Sequence, residues 1–213
     1  MLDNEGTVNY NDTSITSNTR CSYPLNHIEK VCIPAVCGHP NHIILLTCDA
    51  FGLLPPVAKL NSEQAVFQFI CGYTSKIPGT EMGITKPIPV FSSCFGEPFI
   101  VWSPSRYGEL LKEKLEKHQT DVWLVNTGWI GGPYGEGKRI NIKYSRAIID
   151  AIHNDGMDEF ETFPYFDFKI PTKCKDVPDE ILNPINMSDD KNNYHNQLQN
   201  LYEKFLNNYN TKQ

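Results

Sequence analysis

With 213 residues, 40% hydrophobic and 21% charged, the chain has the composition of a globular protein with one sizeable core, not that of a disordered one. A formal charge of −6 with scattered cations argues against a nucleic-acid partner, which needs a clustered basic face. Seven cysteines without a CxxC pair, an acidic N-terminus and no apolar run of membrane length argue against a disulfide framework, a secretory signal and a membrane span, and they point to the cytoplasm.

Residues 1–20 are polar, with Thr7 to Tyr10 alternating like a short edge strand. His42 to Cys48 is a continuous apolar run and reads as a strand buried on both faces, ended by Asp49 and the prolines at 55 and 56. Asn61 stands as N-cap, with Gln64 in the capping-box position, for a helix over 62–70 whose Val66, Phe69 and Ile70 share a face. Gly72 to Pro89 shows no apolar periodicity, and a loop of roughly 18 residues reads as a lid. Phe91 to Trp102 returns to strand-like composition, and Pro104 and Ser105 open a helix to His118 with Leu110, Leu111 and Leu115 inward.

Asp121 to Val125 reads as a second buried strand, and it delivers the glycine-rich stretch Asn126 to Ile140. Arg139 to Tyr144 alternates like a strand, after which Ser145 caps a helix over 146–154. Residues 159–186 carry prolines and no regular pattern. A last amphipathic helix over 191–210 repeats Tyr194, Leu198, Leu201, Tyr202, Phe205 and Tyr209 at helical spacing. The order of elements suggests one mixed α/β unit.

Within the glycine-rich stretch, Gly132 to Lys138 has P-loop spacing, but Arg139 stands where a Ser or Thr hydroxyl would meet magnesium. With a strand rather than a helix expected next, the loop reads as a second wall of a nucleotide site, in which Lys138 and Arg139 neutralise phosphate. The competing reading is a tight turn with solvated cations. Arg20, Asp49 at a strand end, and Lys76, Thr80, Glu81 and Thr85 in the long loop are further candidates. Each has a plain alternative: surface charge for Arg20, a turn cap for Asp49 and a floppy excursion for the loop. His39, His42 and Cys37 lack a fourth ligand and make no zinc site.

The blocks NTRCSYP, LLTCDAFGLLPPVAKL, GTEMGIT, FSSCFGEPF and NTGWIGGPYGEGKRI, in this order, resemble ATP-dependent phosphoenolpyruvate carboxykinase from about Gly6 to at least Pro184. The resemblance implies that residues 1–213 are a C-terminal part of the family's nucleotide-binding domain, an incomplete mixed α+β sheet with flanking helices. It implies conversion of oxaloacetate and ATP to phosphoenolpyruvate, ADP and CO2, with Mg2+ and Mn2+ held by ligands outside this chain. Arg20 is similar to the family arginine at the transferred phosphoryl group and ATP. Arg139 and Ile140 resemble nucleotide contacts, one by charge and one by packing or backbone. Ser145 stands where the family commonly has an ATP-site threonine, and residues 74–90 resemble the active-site lid. The family's P-loop and metal ligands have no counterpart in these residues. The chain alone is therefore expected to be inert, or to act with a complementing N-terminal portion or as a homo-oligomer.

Overall fold

Two apolar runs that the sequence marks as strands, 42–48 and 121–125, lie side by side and organise the rest. The structure is a computed structural model and describes residues 4–9, 12, 14, 22–78 and 83–212. Its elements run β1 (His42–Thr47), β2 (Val57–Leu60), α1 (Ser62–Cys71), β3 (Tyr73–Lys76), β4 (Ile88–Phe91), α2 (Pro104–His118), β5 (Asp121–Asn126), β6 (Trp129–Ile130), β7 (Lys138–Arg139), α3 (Ile142–His153), β8 (Phe160–Thr162), β9 (Lys169–Pro171), α4 (Asp179–Leu182) and α5 (Lys191–Asn210). Chain contacts divide them into a smaller unit, 1–39 with 76–88, and a larger one, 40–75 with 89–213. In the smaller unit Leu25–His27 form a single 3-10 turn, and the Val36 N–H donates to the Pro34 carbonyl at 2.7 Å.

The larger unit is built on a five-stranded mixed sheet in the order β1-β5-β2-β9-β8. β1 runs parallel to β5, from His42 opposite Asp121 to Thr47 opposite Asn126, whereas β2 is antiparallel to β5 and β9. Side chains alternate across the sheet, as the two-residue period of a strand requires. Val122 and Leu124 of β5 join one core with Leu115 of α2 and with Tyr194, Leu198, Leu201 and Phe205 of α5. Trp123 and Val125 join the opposite core with Ile148 and Ile152 of α3 and Ile181 and Leu182 of α4. Helices therefore cover both faces of an incomplete sheet.

Local signals explain where the helices begin. Asn61 accepts from the Gln64 N–H, and the Gln64 side chain accepts from the Asn61 N–H, the reciprocal box read from the sequence. Gly72 ends α1 in the left-handed region at φ 54°, where an added Cβ would lie 1.7 Å from the Ser92 carbonyl oxygen. α5 follows the capping residue Asp190 and buries Tyr194, Leu198, Leu201 and Phe205, the inward positions of the expected stripe.

Several expectations change. β1 is an edge strand among the described residues, and Leu46 is 58% exposed, so the run is not buried on both faces. The stretch 72–89 is not one loop: β3 and β4 pair as a two-stranded ribbon, which leaves 77–87 between them. Beyond Phe91 the chain makes 3-10 turns at Ser93–Phe95 and Glu97–Phe99 in place of a strand, because Pro98 and two left-handed residues, Cys94 and Phe95, break extension. The irregular stretch 159–186 contains the β8–β9 hairpin that forms the far end of the sheet from β1. Val8 forms a single bridge, and Tyr10 lies outside the described residues. None of the helices, among the described residues, is long and apolar enough to cross a membrane.

Candidate nucleotide site

The site begins with two buried polar residues at the C-terminal ends of the parallel strands. Asn126 is fully buried, and such a side chain must find partners inside the protein. Its Oδ1 accepts from the N–H groups of Asp49 at 3.0 Å and Gly128 at 2.8 Å, while its Nδ2 donates to the Leu54 carbonyl at 2.9 Å. Asp49 is buried as completely. Its Oδ1 accepts from the Phe51 N–H at 3.0 Å and the Tyr73 hydroxyl at 2.9 Å. Its Oδ2 accepts from the N–H groups of Leu53 at 2.6 Å and Leu54 at 2.9 Å. Burial pushes the Asp49 carboxyl up, and these bonds offset only part of the rise. With both oxygens occupied, Asp49 shapes the turn after β1. It caps a turn, the plainer of the two roles open to it from sequence.

This frame carries a short hairpin. Trp129 of β6 pairs with Arg139 of β7 and Ile130 pairs with Lys138, while the Trp129 N–H donates to the Asp49 carbonyl at 2.8 Å. The approach is close enough that a Cβ on Gly128 would sit 2.1 Å from the Asp49 carbonyl oxygen, so only glycine fits. Arg139 thus sits on a hairpin bolted to the sheet. Its Nε donates to the Thr127 carbonyl at 3.1 Å, and its guanidinium lies 5.5 Å over the Trp129 ring. Arg139 is exposed, and its two terminal nitrogens have no hydrogen-bond partner among the described residues. Its charge also reaches the strand end: burial pushes the Cys48 thiol up, and Arg139 opposes that shift.

Past Arg139 the structure departs from the expected strand. α3 starts at Ile142, with the Asn141 side chain accepting from the Lys143 N–H as its cap. A helix therefore follows the glycine-rich hairpin after all, and Ser145 lies in its first turn instead of capping it. Ser145 is half-buried, and its hydroxyl makes no hydrogen bond among the described residues. Ile140 is only 7% exposed and packs into the core with Ile148 and Val57, so any contact it makes with a ligand falls to its backbone. A cavity of about 220 Å³ borders the glycine loop, lined by Gly131, Gly132, Glu136, Asp190 and Asn193, and its lining does not include Arg139 or Ser145.

Of the expected site residues, the structure places Arg139, Ile140 and Ser145 within one hairpin and the helix turn that follows it. Arg20 lies outside the described residues, as do Thr80 and Glu81 of the long loop. Sequence reading missed Thr127, Trp129 and Tyr73, which hold the arginine and the acid in place. The signal was present at Asn126, a polar residue closing an apolar strand, whose amide needed partners on both sides.

The family model for phosphoenolpyruvate carboxykinase matches residues 1–180. The chain belongs to the ATP-dependent phosphoenolpyruvate carboxykinase family. It is 52% identical over 204 residues to phosphoenolpyruvate carboxykinase (ATP) of Dictyostelium discoideum, a match that covers 95% of this chain and 36% of the relative. It is 48% identical to the Saccharomyces cerevisiae enzyme of that name, over 95% of this chain and 38% of the relative. With the Staphylococcus haemolyticus enzyme it shares 46% identity over 98% of this chain and 40% of the relative. The chain therefore spans well under half the length of the carboxykinases it matches, and its unfinished sheet suits a partial domain.

Carboxykinases of this family use ATP and divalent metal ions. Among the described residues no three His, Cys, Asp or Glu side chains converge to hold a metal ion. The described residues do not fit a metal centre. An exposed arginine fork has the chemistry to take a phosphate, since its donors match phosphate oxygens in pairs.

Proposed function

We propose that this chain supplies one wall of the ATP site of a phosphoenolpyruvate carboxykinase, the whole enzyme converting oxaloacetate and ATP to phosphoenolpyruvate, ADP and CO2. The observation that carries the reading is Arg139, held by Thr127 and Trp129 with its terminal nitrogens turned to no acceptor among the described residues. In the reaction, CO2 leaves oxaloacetate and the electrons of the broken C–C bond form an enolate. The enolate oxygen attacks the γ-phosphorus, and ADP departs. Positioning and charge stabilisation are the protein's main tasks in such a transfer. Arg139 and Ser145 hold the nucleotide, Arg20 meets the phosphoryl group, and the 74–90 segment excludes water that would protonate the enolate. The roles of Arg20 and the lid rest on the sequence blocks alone.

A second reading is favoured by the open edge of β1, where Leu46 is 58% exposed. In it the chain is catalytically inert by itself, binds ATP weakly, and works only with a polypeptide that supplies the missing family length and the metal ligands. Calorimetric titration of the chain with ATP, alongside a phosphoenolpyruvate-forming assay, tests both readings. Weak ATP binding that falls about tenfold or more in Arg139→Ala, with a smaller loss in Ser145→Ala, is expected. Affinity unchanged in Arg139→Ala overturns the site. Product formed by the chain alone overturns its inertness.

A further inference from the structure

The described cysteines fall into two groups. Cys48, Cys71 and Cys174 are buried and Cys94 is half-buried, whereas Cys32 and Cys37 are both exposed and both lie in one short turn of the smaller unit. Between them the chain reverses: the Val36 N–H donates to the Pro34 carbonyl at 2.7 Å. The reversal turns the Cys32 thiol back along the chain, so that its Sγ lies 3.9 Å from the Val36 carbonyl oxygen. Val36 immediately precedes Cys37, which puts the Cys32 sulfur within about 7 Å of the Cys37 Cα by backbone dimensions. A disulfide needs the two sulfurs about 2 Å apart, and closure here takes rotation of two exposed side chains together with an adjustment of the turn between them.

We propose that Cys32 and Cys37 are a redox modification site, a thiol pair that closes to an intrachain disulfide under peroxide and reopens under thiol reductants. One thiolate attacks a peroxide oxygen, the O–O bond breaks, and water leaves behind a sulfenic acid. The second thiolate then attacks that sulfur and expels a second water. The two sulfurs together lose two electrons and the peroxide gains them. Exposure makes the reaction selective, since oxidation follows access and thiolate character. Burial pushes the thiols of Cys48, Cys71 and Cys174 up and keeps them out of reach. The closed form ties the turn that leads towards β1 into a ring.

The test uses the full chain treated with hydrogen peroxide, then alkylated before and after reduction and digested with chymotrypsin to separate the 32–37 turn from Cys48. The expected result is loss of two hydrogens from the intact mass, with Cys32 and Cys37 alkylated only after reduction and Cys48, Cys71, Cys94 and Cys174 labelled as before. In Cys32→Ser the remaining Cys37 is expected to carry a dimedone-trapped sulfenic acid and no intrachain bridge, and Cys37→Ser should behave in the converse way. A glutathione redox titration should then show a single two-electron transition, absent in either variant. Undiminished alkylation of both thiols overturns the proposal. So does over-oxidation without a bridge, or pairing with Cys21 or with a second chain.

Discussion

Asp49→Asn isolates the energetic role of the acid beneath the hairpin. The carboxylate accepts four hydrogen bonds, from the N–H groups of Phe51, Leu53 and Leu54 and from the Tyr73 hydroxyl. In the best orientation of an asparagine, its oxygen keeps Leu53 and Leu54 and its amide faces Tyr73, whose hydroxyl turns to accept. The Phe51 N–H, in a half-buried turn, then loses its acceptor, at a cost of about 1–2 kcal/mol. The two retained bonds lose their ionic character, at about 1 kcal/mol each. Relief from burying a charge offsets part of this, leaving a net loss of about 2–4 kcal/mol. For a chain of this size that corresponds to a fall in Tm of roughly 4–16 °C. Urea unfolding followed by circular dichroism measures the loss, and Tyr73→Phe should show a smaller one because it removes a single donor. A variant as stable as wild type, or more stable, would refute the view that these bonds outweigh the cost of the buried charge.

Gly128→Ala places a Cβ 2.1 Å from the Asp49 carbonyl oxygen, a backbone atom that cannot swing aside, and should cost about 3 kcal/mol or more in urea unfolding. Phe205→Ala removes the ring that meets Tyr73 at 4.9 Å and Phe91 and Phe166 at 5.1 Å, with an expected loss of about 3–5 kcal/mol and a lower melting temperature. Burial pushes the Cys71 thiol from 9.0 up to about 12. At pH 9 roughly one Cys71 in a thousand is ionised, against about half of an ordinary thiol, so native iodoacetamide labelling should spare it until urea is added. Because the folded value is the higher one, the contribution of Cys71 to stability is complete below pH 9 and drains away as pH rises towards 12, which alkaline unfolding curves will show.

The elements legible in the sequence were those where local chemistry and tertiary environment agree. The Asn61–Gln64 box, the apolar run of β5 and the stripe of α5 all survive as read. Misreadings arose where a short pattern fits two periods. Ile140, Ile142 and Tyr144 alternate like a strand, yet the Asn141 cap starts a helix there and leaves Ile142 73% exposed. Strands of three residues such as β8 and β9 are too short to show a period, and the prolines around them mask the hairpin. The apolar composition of β1 could not reveal that it lies at an edge, which depends on what pairs with it. Of the site, the position of Arg139 was readable from the glycines, but the aromatic platform beneath it needed the register of β6 against β7.

The clasp of α5 on the sheet sets the order in which the molecule can be made. The Tyr194 hydroxyl donates to the Leu53 carbonyl across 141 positions of sequence, and the Cys71 thiol reaches the Phe205 carbonyl across 134. Contacts that far apart close late, because the intervening chain must surrender its freedom before they return anything. On the ribosome, at about 5–20 residues per second, β1, β5 and the hairpin bearing Arg139 emerge several seconds ahead of Phe205. Until the last turns of α5 arrive, Tyr73, Phe91 and Phe166 lack the Phe205 ring that all three meet, and the half-made core is the species a chaperone would meet.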